Sequence, residues 1–241
     1  MSLLYKILQG IKSCLGVSKR ARYSIIISVL CSIYAKLKPF HSLDVDSSML
    51  WASFTLAFFG FLRSSEFTCN GQFDIQTHLS RSRFNCLICL GTFEPTLHSP
   101  TPFEIVIKKS KTDPFQETAK LIIAKSNSTV CAVTALQNYF LRTSTHPSTQ
   151  PIFQFQDGRN LTRTSVTNNL QALLNVCGLD SARFASHSFR IGAATTAGAA
   201  GFPNWLIKVL GRWKLDAYQL YIRIPRDTIL QVPQNLAACL N

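Results

Sequence analysis

SHSFRIGAATTAGAAGFPNWLIKVLGRWKLDAYQLYIR, residues 186–223, is the stretch of this 241-residue chain that says most about its fold. Ser186 carries the short hydroxyl favoured at helix starts, which predicts a helix from there through Ala199, stopped at Gly201. That start puts His187 in the first turn and Arg190 three residues later on the same face. The residues from Ile191 to Ala200 are mostly small, so the helix can pack closely and hold both polar side chains rigidly. Pro203 opens a short helix that ends at Gly211. Arg212 and Trp213 then fall in a tight turn with their polar tips free to face a ligand. A last helix carries Tyr218 and Tyr221 before Pro225.

A helix N-terminus attracts anions, and a guanidinium beside it adds a two-pronged donor for phosphate oxygens. His-x-x-Arg alone is common on surface helices. The hydroxyl of Tyr218 or Tyr221 is a poor nucleophile, with a reference pKa near ~10. Neighbouring cations and a positioned base can activate it for attack on phosphorus. Without such neighbours, two tyrosines three residues apart read as a core stripe.

Upstream, apolar spacing predicts a helix over 23–38 that ends at Pro39. After a polar turn at Asp44, Asp46, Ser47 and Ser48, a second helix is expected from about Met49 through Arg63 to Phe67. Glu66 lies three residues beyond Arg63 and can hold it in an ion pair. In the middle of the chain, Phe84–Phe93, Phe103–Lys108 and Lys120–Ala124 have strand character, with a basic turn over Lys109–Pro114. These suggest a three-stranded antiparallel sheet with a basic hairpin. Two further helices are expected at Val130–Leu141 and Thr164–Cys177, the second entered at Thr162 and stopped at Gly178. The fold class is therefore α+β, mainly helical and enclosing a small sheet.

Composition narrows the partners. Lys and Arg number 25 against 12 Asp and Glu, giving a net charge of +13 although charged residues are only 15% of the chain. At least one face must be strongly positive, which suits nucleic acid or an anionic membrane. The membrane fits less well: the most apolar run, Met49–Leu62, has 14 residues before Arg63, where a bilayer needs roughly 20. The N-terminus lacks a secretory pattern, since Lys6 and Lys12 interrupt its apolar stretch. Of the eight cysteines, only Cys86 and Cys89 are spaced C-x-x-C. No second pair or nearby histidines complete a zinc site, so buried free thiols in a reducing compartment are expected.

Arg63-x-x-Glu66, a hairpin lysine, His187-x-x-Arg190, and Gly211-Arg-Trp followed by Tyr221 occur in the order seen in tyrosine recombinases. From about residue 23 to 224 the sequence resembles the catalytic domain of that family. It is most similar to the eukaryotic mobile-element branch, the Crypton and DIRS-type recombinases, in its Gly-Arg-Trp turn and Tyr-Ile-Arg ending. The resemblance implies that Arg63 and Arg190 clamp the scissile phosphate. Tyr221 would attack in line to form a 3′-phosphotyrosine, Lys111 would protonate the leaving oxygen, and His187 would exchange a proton or hydrogen-bond the phosphate. Glu66 would orient Arg63. Double-stranded DNA is then the partner, in a homo-oligomer formed on it, with no cofactor, no metal and no membrane. A nuclear or otherwise intracellular location goes with this.

Some assignments stay open. The family places His or Trp in the turn after the glycine: by spacing to Tyr221 that is Arg212, by chemistry Trp213. Trp213 is preferred, with Arg212 supporting. Tyr221 is preferred to Tyr218 because it sits nine residues beyond Arg212, and Lys111 to Lys108 or Lys109 because it lies in the turn. Residues 1–22 read as the linker or remnant of an N-terminal DNA-binding domain, too short to be that domain, so a truncated or degraded copy is expected. Residues 225–241 read as a tail exchanged between subunits. The alternatives are a domesticated, non-catalytic DNA-binding protein of the same fold and a structural interaction domain.

Overall fold

A computed structural model describes residues 22–41, 44–86, 102–107 and 118–213, together with Asp216, Gln219 and Ile222. Its architecture is α+β and mostly helical, with a small antiparallel sheet. Among the described residues, no helix is long and apolar enough to cross a membrane.

The apolar run became the central helix. It spans Val45–Phe59 (α2), after α1 at Ile27–His41, and every residue from Ser48 to Phe58 is buried. A helix apolar on all sides needs cover on all sides. α1, α4 (Ala132–Arg142) and α6 (Ser188–Ala199) supply it. Tyr34 meets Trp51 at 4.9 Å between ring centroids, and Phe54 meets Phe189 at the same distance. Two buried hydroxyls of α2 are satisfied within it, Ser53 Oγ donating to Leu50 O and Thr55 Oγ1 to Trp51 O.

Several boundaries differ from the sequence expectation. Pro39 lies inside α1 rather than ending it, and residues 22–26 are not helical. α2 starts four residues earlier than Met49, because Asp44 caps it by accepting from the amides of Asp46 and Ser47. It does not run through Arg63. The chain turns back at Gly60–Phe61 and restarts as a single turn, α3 (Ser64–Phe67). Ser186 does not cap α6: His187 takes the N-cap position, and Ser188 Oγ accepts from the Ala185 amide 3.0 Å away.

The sheet centres on β2 (Phe103–Ile107) and β3 (Ala119–Ile123), paired over five residues with Ile105 opposite Leu121. Only the three residues of β1 (Phe84–Cys86) add to its other edge, antiparallel to β2. The rest of the expected first strand, the basic turn with Lys108, Lys109 and Lys111, and Cys89 lie outside the described residues. Of the described free thiols, Cys69 and Cys131 are buried as expected, whereas Cys31 is exposed and Cys177 half-buried. α5 (Arg163–Val176) starts at a Thr162–Ser165 capping box, and α7 (Asn204–Leu210) follows Pro203.

Candidate active site

Two helix ends build the site. α2 ends in Gly60 (φ −86°, ψ 0°) followed by Phe61 at φ +49°, and α7 ends in Gly211 (φ −82°, ψ −6°) followed by Arg212 at φ +55°. Each closes with the same bond across six residues, Leu62 N to Ala57 O and Trp213 N to Lys208 O, both 3.0 Å. This is the Schellman arrangement, with a side-chain-bearing residue in the left-handed position that glycine usually fills. Such a residue costs roughly 1–3 kcal/mol and persists where surrounding contacts hold it. Here the contacts are those of the arginines.

Arg190, from the first turn of α6, is 1% exposed. Its Nη1 donates to Phe61 O and its Nη2 to Gly211 O, one carbonyl from each helix end. Trp213 folds back over its guanidinium, 4.2 Å from ring centroid to Cζ, and Phe61 meets the indole edge-on at 6.4 Å. The ring passes so close to Gly211 that any Cβ there would overlap it at 1.6 Å. The Arg-Trp turn is thus not the free-tipped turn the sequence suggested: Trp213 is buried against Arg190, and Arg212 is tied down. Arg212 Nη2 donates to Glu66 Oε2 (2.7 Å), and its Nη1 to Gly60 O and Leu210 O (both 3.2 Å).

Glu66 is the shared anchor. Its carboxylate has no solvent exposure; Oε1 accepts from Arg63 Nη1 (3.0 Å) and Oε2 from the Arg63 amide (2.8 Å) as well as from Arg212. The Arg63–Glu66 pair was legible in the sequence, but its setting was not: Arg63 precedes α3 instead of ending α2, and Glu66 closes the N-terminus of that turn.

His187 lies half-buried at the start of α6, with its pKa lowered from 6.5 to about 4. Burial is the main cause, followed by the charges of Arg190, Arg163, Arg63 and Arg22. Arg63 and Arg190 thus both act on the imidazole, although 127 residues separate them (190 − 63). The imidazole is neutral at pH 7. Arg163 and Arg22 were not expected here. Arg163 opens α5 with its amide on Asn70 Oδ1 (2.9 Å), and both arginines are exposed. Nothing in their local sequence marks them, because only the fold brings residues 22 and 163 towards residue 187.

The site as described gathers Arg63, Glu66, His187, Arg190, Arg212 and Trp213. Lys111, Tyr218 and Tyr221 lie outside the described residues. Among the described residues, no group of three His, Cys, Asp or Glu side chains is placed to hold a metal ion.

Solved structures of recombinases are similar to this chain, among them the following three. The XerH site-specific recombinase in its post-cleavage complex with palindromic difH substrate matches with TM-score 0.63 and 14% identity, over 90% of this chain and 54% of that one. XerA recombinase matches at 0.60 and 13%, over 90% of this chain and 64% of that one. The Flpe–Holliday junction complex matches at 0.51 and 13%, over 96% and 58%. The fold is that of tyrosine recombinases. No protein-family model matches the sequence, and neither does any curated protein. The chain spans between half and two thirds of the length of these structures, so the likeness concerns the fold of that portion.

Proposed function

We propose that this chain cuts and rejoins DNA by transesterification through Tyr221. The observation that carries the proposal is that Arg63 and Arg190, from two distant segments, both act on a neutral His187 in a chain of net charge +13. The fold and its likeness to DNA-bound recombinases support it. The Tyr221 oxygen attacks the scissile phosphorus, its P–O bond forms as the P–O5′ bond breaks, and a 3′-phosphotyrosine results. His187, uncharged at neutral pH, accepts the tyrosine proton. Lys111 gives a proton to the departing 5′ oxygen, and guanidinium groups stabilise the charge that develops on phosphorus. Rejoining is the reverse, so no energy source is consumed. The parts played by Tyr221 and Lys111 rest on sequence resemblance, as do a mobile element of the Crypton or DIRS type as the source and assembly of several copies on DNA.

One observation favours a second reading. Arg190 is enclosed, with carbonyl partners and an indole over its face. An arginine held this way suits a chain that binds DNA without cleaving it. Nicked duplex substrates distinguish the two. A DNA–protein adduct that survives SDS and is lost in Tyr221→Phe supports strand cleavage. Salt-sensitive binding with no adduct supports the non-catalytic protein. An adduct kept in Tyr221→Phe and lost in Tyr218→Phe moves the nucleophile to Tyr218.

A further inference from the structure

We infer that Arg212 is a positioning residue, which sets Arg63 through Glu66 and shares with Arg190 the carbonyl that holds it, and does not itself reach the phosphate. This rests on the reading of the site as one for phosphoryl transfer. By its distance from Tyr221, Arg212 stands where a phosphate-contacting side chain is expected, and its geometry shows a different use.

Its Nη1 is directed at Gly60 O and Leu210 O, and its Nη2 at Glu66 Oε2, with Phe61 O a further 3.4 Å contact. Each of these partners is a protein oxygen, and the side chain is only 15% exposed. The Nε atom is buried among the described residues without a hydrogen-bond partner. A guanidinium committed in this way has its planar fork turned inward. The left-handed backbone at Arg212 is what directs it there, back along the turn towards α2.

What Arg212 holds is more telling. Glu66 meets Arg63 through both carboxylate oxygens and Arg212 through one of them. Removing Arg212 takes away the contact that fixes Glu66 Oε2 from the turn after α7, so the plane of the Arg63 guanidinium is less firmly set. Phe61 O, which receives Arg190 Nη1, also lies by Arg212 Nη2. One residue therefore braces both arginines that act on His187, and joins chain segments 146 residues apart. A bidentate guanidinium is required for this, since a lysine ammonium can meet Glu66 or the carbonyls but not hold both in one plane.

The test compares Arg212→Met, Arg212→Lys and Arg63→Ala in the full chain, each checked by circular dichroism for retained helix. Nitrogen-15 NMR of guanidinium groups reads the positioning directly. In the wild type, Arg63 should show slow rotation about its Cζ–Nε bond, to be lost in Arg212→Met and partly kept in Arg212→Lys. Unchanged Arg63 signals in Arg212→Met overturn the inference. The second readout is adduct formation on nicked DNA. Arg212→Met should slow cleavage tenfold or more while changing DNA affinity by less than threefold, and should cost clearly less in an Arg63→Ala background, where only its part in holding Arg190 is left to lose. Additive losses in the double variant, or a loss confined to affinity, also overturn it. Should the wild type form no adduct, strand cleavage is what fails, and the NMR result alone decides the role of Arg212.

Discussion

Replacing Gly211 by alanine tests whether the Trp213–Arg190 stack is the keystone of the two helix ends. Two effects oppose each other. Gly211 sits at φ −82°, ψ −6°, which any residue adopts. Alanine there should therefore stabilise the fold by about 0.4–1 kcal/mol through the unfolded chain. Against this, the new methyl would lie 1.6, 2.0 and 2.4 Å from Cζ3, Cε3 and Cη2 of Trp213. These ring atoms are within bonding range, so the indole must leave its position. Trp213 is 8% exposed, and losing the packing of a buried indole costs roughly 3–5 kcal/mol. The cation–π contact with Arg190 is part of that loss, at about 1 kcal/mol. Partial repacking leaves a net destabilisation of about 2–4 kcal/mol.

Thermal and urea unfolding of four proteins isolate the effect: wild type, Gly211→Ala, Trp213→Ala and the double variant. For a domain of this size, about 2–4 kcal/mol lowers Tm by roughly 5–15 °C. With the indole absent the three nearest colliding atoms are gone, and Gly211→Ala should become neutral or stabilising, up to about 1 kcal/mol. A coupling of about 3 kcal/mol between the two positions is thus expected. Equal destabilisation by Gly211→Ala in both backgrounds, or none in either, would refute the placement of Trp213 over Gly211 and Arg190.

Four other outcomes follow from the same geometry. His187 should titrate near pH 4 in the free protein by NMR, and higher once DNA phosphate adds negative charge beside it; a free-protein midpoint near 6.5 would contradict the crowding by arginines. Because the folded pKa lies below the unfolded one, the unfolded chain takes up the proton first, so this group costs stability as pH falls from about 6.5 to about 4, and His187→Gln should flatten that part of the stability–pH curve. Arg163→Ala and Arg22→Ala should each weaken DNA binding and lower the slope of log K against log salt by about one, with unfolding free energy changed by less than about 0.5 kcal/mol; an unchanged slope would remove them from the interface. Gly192→Ala would drive a methyl to 1.7 Å from the Ile25 carbonyl oxygen, and the strain should displace residues 22–26 from α6, detected as new proteolysis there and a loss of about 2–4 kcal/mol.

The helices that carry core stripes were legible because burial and periodicity are encoded locally. α5 begins one residue from its expected start, and α7 lies between Pro203 and Gly211 as read. The Arg63–Glu66 spacing also survived, although the helix thought to carry it did not. What failed were the points where a tertiary partner decides. Gly60 gives no signal of its own that α2 will stop there. It stops because the chain must turn so that Phe61 O can face Arg190, a residue 129 positions away. Ser186 has the chemistry of a cap, but the loop before α6 puts His187 at the N-cap position and turns Ser188 Oγ back to accept the Ala185 amide.

The Arg212–Trp213 turn shows the same limit at the site itself. Spacing favoured one residue and chemistry the other, as though a single role had to be assigned. The two side chains instead leave the turn in different directions because Arg212 is left-handed. One goes to Glu66 and the helix-end carbonyls, the other over Arg190. A sequence motif records which groups are present but not the backbone sign at one residue, and here that sign separates the side chain that braces from the side chain that covers. Among the described residues, three guanidinium groups, of Arg63, Arg190 and Arg212, are then held by one buried carboxylate and a set of carbonyl dipoles. Carbonyls fix a guanidinium without neutralising it, whereas a carboxylate for each arginine would cancel the charge. For the proposed strand cleavage, Arg63 and Arg190 would need to be rigid and still positive, and the paired helix ends are a way to make them so.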